Sequence, residues 1–246
     1  MSAFGLSDVG RRRETNEDQF LVDAEMGLYA VADGMGGHAA GEVASQLAIS
    51  TLAESLRGRG WNGEDADAGL ARVRLQEAVT EANRKICETV IAREEWRGMG
   101  TTIVALLTCG ERAVIGHVGD SRVYLLRNDS FRRLTSDHSW VNEQVKMGLL
   151  TDDDAQRHPM RNIVTRALGN RMEVSVELTE LGFADGDIFL LCSDGLNTML
   201  TDDEIRDTLV RYREDPQQAC TALVEAANDR GGEDNTTVVI LSVEQD

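Results

Sequence analysis

The chain has 246 residues, with 43 acidic side chains against 25 basic ones and a formal charge of −18. That length suits one large domain or two small ones, and so acidic a surface disfavours nucleic acid and anionic membranes as partners. The N-terminus MSAFGLSDVGRRRETNED has no apolar h-region, and no apolar run approaches the ~18 residues of a membrane span, so neither a signal peptide nor an anchor is expected. Cys87, Cys109, Cys192 and Cys220 are scattered without a CxxC pair and read as buried free thiols in a reducing cytoplasm.

In chain order, short strands are expected at Phe4 to Val9, Gln19 to Ala24 and Gly27 to Ala32. A helix follows from Gly41 to Leu56, striped by Val43, Leu47, Leu52 and Leu56, and then a polar, glycine-rich loop over 57–69. Leu75, Val79, Ala82, Ile86 and Val90 recur at helical spacing and predict a second long helix over 70–94. Strands return at Thr101 to Cys109, Arg112 to Val118, Arg122 to Leu126 and Phe131 to Leu134, with hairpin turns at Gly110-Glu111 and around Asn128–Ser130. The stretch 136–172 is polar, with one short helical pattern near Trp140 to Met147, and reads as an excursion from the core. Strands at Glu173–Leu181 and Asp187–Cys192, helices at Asp202–Arg213 and Pro216–Asp229, and a strand at Thr236–Val243 complete the chain. Hairpin-connected strands pair antiparallel. The expected fold is α+β, a β-sandwich flanked by helices, in a single domain spanning 1–246.

Five segments place an acid at a predicted strand end, usually beside glycine: Glu17-Asp18, Asp33-Gly34, Gly119-Asp120, Asp194-Gly195 and Asp234-Asn235. Any one Asp-Gly reads as a turn. Asp33 and Asp194, however, each follow five or more apolar residues, where no solvent-exposed turn is required. Two carboxylates ~5 Å apart repel by on the order of 3 kcal/mol at an effective dielectric near 20, so a converging set needs a cation to stay ionised. Hard oxygen donors without paired His or Cys favour Mg²⁺ or Mn²⁺, with Ca²⁺ as a non-catalytic alternative. There is no HExxH, and His38, His117, His138 and His158 share no helix face, which disfavours zinc. Gly34 and Gly195 would let the backbone approach a metal, and Asp33 is the candidate bridge between two cations. Such a pair acidifies water and clamps a displacement at phosphorus. Arg13, five residues before Asp18, is the candidate anion fork.

These residues resemble the metal-dependent serine/threonine protein phosphatases of the PP2C type, the PPM family, and in particular its small stand-alone bacterial members. The matching segments are SDVGRRRETNEDQF, VADGMGGHAAGEVAS, GTTIVALL, GHVGDSRVYLLR, LTSDHSWV, VTRALG, LCSDGLNTML and EDNTTVVIL, which together span residues 7 to 241. The resemblance implies two antiparallel sheets flanked by helices on both outer faces, with a dinuclear Mn²⁺/Mg²⁺ centre at one end. It implies that Asp33 bridges the metals, that Gly34 gives its carbonyl, that Asp194 and Asp234 complete one shell, and that Asp18 supports the second metal, with Glu17 its neighbour in the motif. Arg13 matches the phosphate-binding arginine, Asp120 with Asp194 matches a third metal site, and residues about 140–168 match a flap beside the active site. Eukaryotic relatives carry a histidine after the DG pair where this chain has Met35. His38 fits the bacterial pattern, and two roles stay open for it: leaving-group acid, or a support of its loop.

The implied activity is hydrolysis of phosphoserine and phosphothreonine in proteins by metal-activated water, opposing a bacterial serine/threonine kinase. No covalent phosphoenzyme is required. Two alternatives are a pseudophosphatase and a regulatory phosphoprotein-binding module, both without turnover.

Overall fold

The central strands are continuous apolar runs, and a period of two sends their neighbouring side chains to opposite faces. In β3 (Leu28–Met35), Leu28, Ala30 and Ala32 join a core under two helices, whereas Tyr29 and Val31 join a core on the other face. That split sets the layering. The computed structural model describes residues 1–36, 40–63 and 67–243.

One sheet has the order β1 (Ser2–Asp8), β11 (Thr236–Ser242), β10 (Ile188–Cys192), β7 (Arg122–Arg127) and β8 (Ser130–Arg133). The other runs β2 (Asp18–Asp23), β3, β5 (Ile103–Cys109), β6 (Arg112–Val118) and β9 (Glu177–Gly182), with the short β4 (Gly100–Thr101) also on β3. Every pairing is antiparallel. Between the sheets lie Tyr29, Val104, Leu106, Ile115, Val123, Phe189, Leu191 and Val239, among others. Helices α1 (Ala40–Gly58) and α2 (Ala68–Ala92) cover the outer face of the β3 sheet through Leu52, Leu56, Leu75, Val79 and Ile86. Helices α5 (Asp194–Met199), α6 (Asp202–Arg211) and α7 (Pro216–Asp229) cover the β11 sheet through Leu196, Ile205, Leu209 and Leu223. The expected helix-flanked sandwich is the observed architecture.

The β7–β8 turn holds Asn128 and Asp129 at φ 48° and 62°. Two left-handed residues in a two-residue loop match the right-handed twist of the flanking strands, and Asn and Asp tolerate that conformation. Helix starts follow side-chain chemistry. Asp67 caps α2, a Thr201–Glu204 capping box opens α6, and Asp215 with Pro216 opens α7.

The structure corrects several expected elements. β3 does not stop at Ala32 but runs through Asp33 and Gly34 to Met35, because Gly34 and Met35 pair with Thr101 and Gly100. The single strand expected over Thr101–Cys109 is broken at Thr102, whose hydroxyl instead of its carbonyl takes the Asp33 N–H. The strand expected from Glu173 begins at Glu177; Val174 and Val176 pack on the helical core without joining a ladder. The excursion holds α3 (Trp140–Lys146), as expected, and an unanticipated α4 (Asp152–Arg157), too short to show periodicity. Bridges Ser139↔Val164 and Thr101↔Leu168 tie its two ends to each other and to the core. All four cysteines are free and buried. Among the described residues, no helix is long and apolar enough to cross a membrane.

Candidate functional site

The β2–β3 ladder puts Asp18 directly opposite Asp33. Directly opposed residues project to the same face with Cβ atoms ~5 Å apart, so two carboxylates there repel. Nothing in sheet packing rewards that arrangement. Asp194 arrives from the β10–α5 junction, Asp234 from the turn before β11, and Asp120 from the β6–β7 connection. Asp33 feels the charges of all four others, Asp18 first and then Asp194, Asp120 and Asp234. Five acids from five separate stretches of chain therefore meet at one end of the sandwich.

Their protonation behaviour records the crowding. Burial, then the charges of its neighbours, holds the Asp33 carboxyl well above the ordinary carboxylate range. Burial pushes Asp18 up to about 7 against hydrogen bonds that favour its ionised form, and Asp194 and Asp234 add repulsion. Burial and then Asp194 and Asp137 push Asp120 up to about 8, and burial with Asp234 brings Asp194 to about 6. Asp18 and Asp120 are buried, whereas Asp33, Asp194 and Asp234 keep a window to solvent. Protein packed around Asp33 and Asp194 outweighs that window. Asp194 is also within hydrogen-bond reach of Asp33, which favours its ionised form.

Each acid is held by groups that leave some of its lone pairs unclaimed. Ser193 donates its hydroxyl to Asp18 Oδ2 at 2.7 Å and accepts the Thr237 N–H at 2.9 Å. That explains why Ser193, the N-cap of α5, makes no side-chain cap bond. Asp18 Oδ1 is buried with no hydrogen-bond partner. A buried bare carboxylate oxygen is costly, and the carboxyl that carries it feels the charges of Asp194 and Asp234. The backbone of Asp33 is pinned on both sides. Its N–H donates to Thr102 Oγ1 at 3.0 Å, and its carbonyl accepts from Thr101 Oγ1 at 2.8 Å and from the Thr102 N–H at 2.9 Å. Thr102 Oγ1 in turn pairs with Ser121 Oγ at 2.7 Å, beside Asp120. The Asn235 N–H donates to Asp234 Oδ1 at 2.8 Å.

Glycine is required where backbones close on the site. A Cβ at Gly34 would be driven into the carbonyls of Gly41 and Glu17, and one at Gly195 into the carbonyl of Asn235. The Gly34 N–H donates to the Glu17 carbonyl at 3.1 Å, so Glu17 reaches the site through its backbone. Its carboxyl lies against Gly41, and burial raises its pKa. Arg13 places Nη2 2.6 Å from Asp234 Oδ2, with half of its side chain exposed. That hydrogen bond raises its pKa first, against partial burial, and Asp234, Glu17 and Asp194 add attraction. His38 lies outside the described residues.

The donor set fits hard divalent cations. It consists of five acids, one of them with an orphaned carboxylate oxygen, against Arg13 and Arg122, the latter already paired with Asp137. A second cluster does not fit as well. His117, His138 and Glu177 present ligand-type atoms within 4.8 Å of one another. The Gly119 N–H donates to His138 Nδ1 at 3.0 Å, which leaves Nε2 carrying the proton toward Glu177 at 3.2 Å. No lone pair of His138 is then free for a cation, and the Arg166 guanidinium, 3.1 Å from the same nitrogen, adds a positive charge.

No pattern in the sequence marks Ser193, Thr101, Thr102 and Asn235 as supports. Their only signal is adjacency to the acids in SDG, GTT and EDN.

The profile of the family described as Protein phosphatase 2C matches residues 10–229. The serine/threonine phosphatase stp of Listeria innocua is 39% identical over 246 residues, covering 98% of this chain and 95% of that protein. A crystal structure of the Mycobacterium tuberculosis serine/threonine phosphatase PstP/Ppp is similar at a TM-score of 0.89 and 39% identity, covering 99% of each chain. A structure of the catalytic domain of PstP in complex with 2 manganese ions is similar at a TM-score of 0.87 and 38% identity, covering 99% of this chain and 98% of that one.

Proposed function

This chain belongs to the protein phosphatase 2C family and is a serine/threonine phosphatase, and on that premise we propose that it hydrolyses phosphoserine and phosphothreonine in proteins at a dinuclear Mn²⁺ or Mg²⁺ centre. Asp33, the Gly34 carbonyl, Asp194 and Asp234 would hold one ion, and Asp33 with Asp18 would serve the other. Asp120 with Asp194 offers a third position. The observation that carries this reading is the convergence of five acids, three of them pushed to between about 6 and 8, around a buried Asp18 oxygen without a partner. The manganese ions in the structure of the PstP catalytic domain support the choice of cation.

Bound divalent ions supply Lewis acidity that acidifies water and neutralises phosphate oxygens. The chain's own residues do the rest. Arg13, half exposed and held on Asp234, forks two phosphate oxygens once that carboxylate is otherwise engaged. Thr101 and Thr102 fix the Asp33 backbone, and Ser193 orients Asp18, so the carboxylates meet their ligands without reorganising. The window to solvent at Asp33, Asp194 and Asp234 admits a phosphorylated side chain and water. No cysteine is available as a nucleophile, since all four are buried, and burial pushes the thiols of Cys192 and Cys220 up to about 12.

The enzyme acts in the cytoplasm as one domain with residues about 140–168 as a flap, and it reverses the work of a serine/threonine kinase. Hydrolysis of p-nitrophenyl phosphate and of a phosphothreonine peptide in Mn²⁺, Mg²⁺ and EDTA tests the reading. Turnover with either cation and none in EDTA is expected, and Asp33→Asn should remove it while the protein stays folded. A binding module would be inert in all three conditions.

A further inference from the structure

Residues 9–17 form no helix or strand, yet they carry Arg13 and lead into Asp18. Something outside the segment must fix its shape. Asn235 does so from the other side of the site. The residue is 5% exposed, and its side chain uses all three of its directed groups on this segment. Nδ2 donates to the Val9 carbonyl at 2.9 Å and to the Thr15 carbonyl at 2.9 Å, and Oδ1 accepts the Glu17 N–H at 2.8 Å. These contacts bracket Arg13 on both sides. The Asn235 backbone N–H meanwhile holds Asp234, the carboxylate on which Arg13 rests.

Only an amide satisfies this geometry. Two carbonyls and one N–H need two donors and one acceptor on a short planar group, which Asn supplies and Asp, Ser or Leu does not. Other ties of the segment include the Arg11 and Arg12 N–H groups on the Gly232 carbonyl at 2.8 and 3.2 Å, the Gly10 N–H on Asp8 at 2.8 Å, Asn16 on Ser7 at 2.8 Å, and the Gly34 N–H and Ser45 hydroxyl on the Glu17 carbonyl at 3.1 and 2.6 Å. None of them joins its two ends.

We propose that Asn235 is a positioning residue that sets the phosphate affinity of this enzyme by clamping the 9–17 segment and thereby aiming Arg13. The proposal rests on the assignment of Arg13 to phosphate. Asn235 touches neither substrate nor cation; it acts through the segment it holds. Loss of the clamp raises the Ki for phosphate and the KM together, because Arg13 meets phosphate in the bound ground state. It changes kcat much less, because the acids keep their own supports.

The experiment uses the Mn²⁺-loaded protein, with inorganic phosphate as a competitive probe of p-nitrophenyl phosphate hydrolysis, for wild type, Asn235→Ala, Arg13→Ala and the double variant. Asn235→Ala should raise Ki and KM about tenfold and leave kcat within about threefold, and Asn235→Ala should add nothing further in the Arg13→Ala background. Hydrogen exchange of the metal-free proteins should show faster exchange in residues 9–17 of Asn235→Ala with the sheets still protected. Should Asn235→Ala not fold, Asn235→Ser takes its place, since its short hydroxyl cannot span the three contacts and adds no charge to the acidic site. Full additivity of the two substitutions overturns the inference. So does a fall in kcat at unchanged Ki, or unchanged exchange in 9–17. If Arg13→Ala leaves Ki unaltered, the Arg13 assignment falls and takes the inference with it. If Arg13→Ala raises Ki and Asn235→Ala does not, the Asn235 inference falls alone.

Discussion

Replacing Asp120 by Asn should stabilise the metal-free protein. Asp120 is 8% exposed, and burial followed by repulsion from Asp194 and Asp137 raises its pKa from 3.8 to about 8. Between those two values the folded chain keeps a proton that the unfolded chain has released. Stability therefore falls as pH rises through that window and levels off above it. At 1.36 kcal/mol per unit, a displacement of about four units sets a ceiling on the order of 5 kcal/mol at pH 8. An asparagine removes the charge but still buries a polar amide, which costs ~1–3 kcal/mol. The expected net gain is on the order of 2 kcal/mol, or ~4–8 °C in melting temperature for a chain of this size. Thermal or urea unfolding in EDTA at pH 8 and pH 4.5 reads it directly: a clear gain at pH 8, and near coincidence with wild type at pH 4.5. Saturating Mn²⁺ should reverse the order, because the wild type gains binding free energy that the variant loses. If Asp120→Asn in EDTA at pH 8 is no more stable than wild type, or if its advantage is undiminished at pH 4.5, then cation starvation does not govern this cluster.

Mn²⁺ binding at pH 6.5 should release protons, since Asp18 and Asp120 titrate at about 7 and about 8 without metal. Titration calorimetry in buffers of differing ionisation enthalpy should show buffer-dependent heats at pH 6.5 that fade by pH 9; equal heats in all buffers would contradict the raised values. Gly195→Ala replaces a helical glycine, which ordinarily stabilises by about 1 kcal/mol. Here the new Cβ would be driven into the Asn235 carbonyl, so urea unfolding should instead show a loss of ~1–3 kcal/mol.

The layering was legible because short runs such as Leu28–Ala32 are apolar throughout, as strands buried on both faces are, and α2 carries a clean helical stripe. The acids were legible as a recurrent Asp beside Gly at the edges of apolar runs. Their partners were not. The direct opposition of Asp18 and Asp33 depends on ladder register, which no local pattern states. The extension of β3 to Met35 depends on Gly100 and Thr101, far along the chain. Helix α5, which opens at Asp194, is 6 residues long and has no periodicity to read. The same limit hid Ser193, Thr102 and Asn235. Each is a small polar residue whose role appears only when a segment remote in sequence, Asp18, Asp33 or Val9–Glu17, is brought against it.

Anomalous diffraction from crystals grown with Mn²⁺ tests the dinuclear centre most directly. Two peaks are expected among Asp18, Asp33, the Gly34 carbonyl, Asp194 and Asp234, with Asp33 between them and Asp18 Oδ1 no longer bare. Crystals that bind Mn²⁺ elsewhere, or show no peak among these acids at saturating metal, would contradict it.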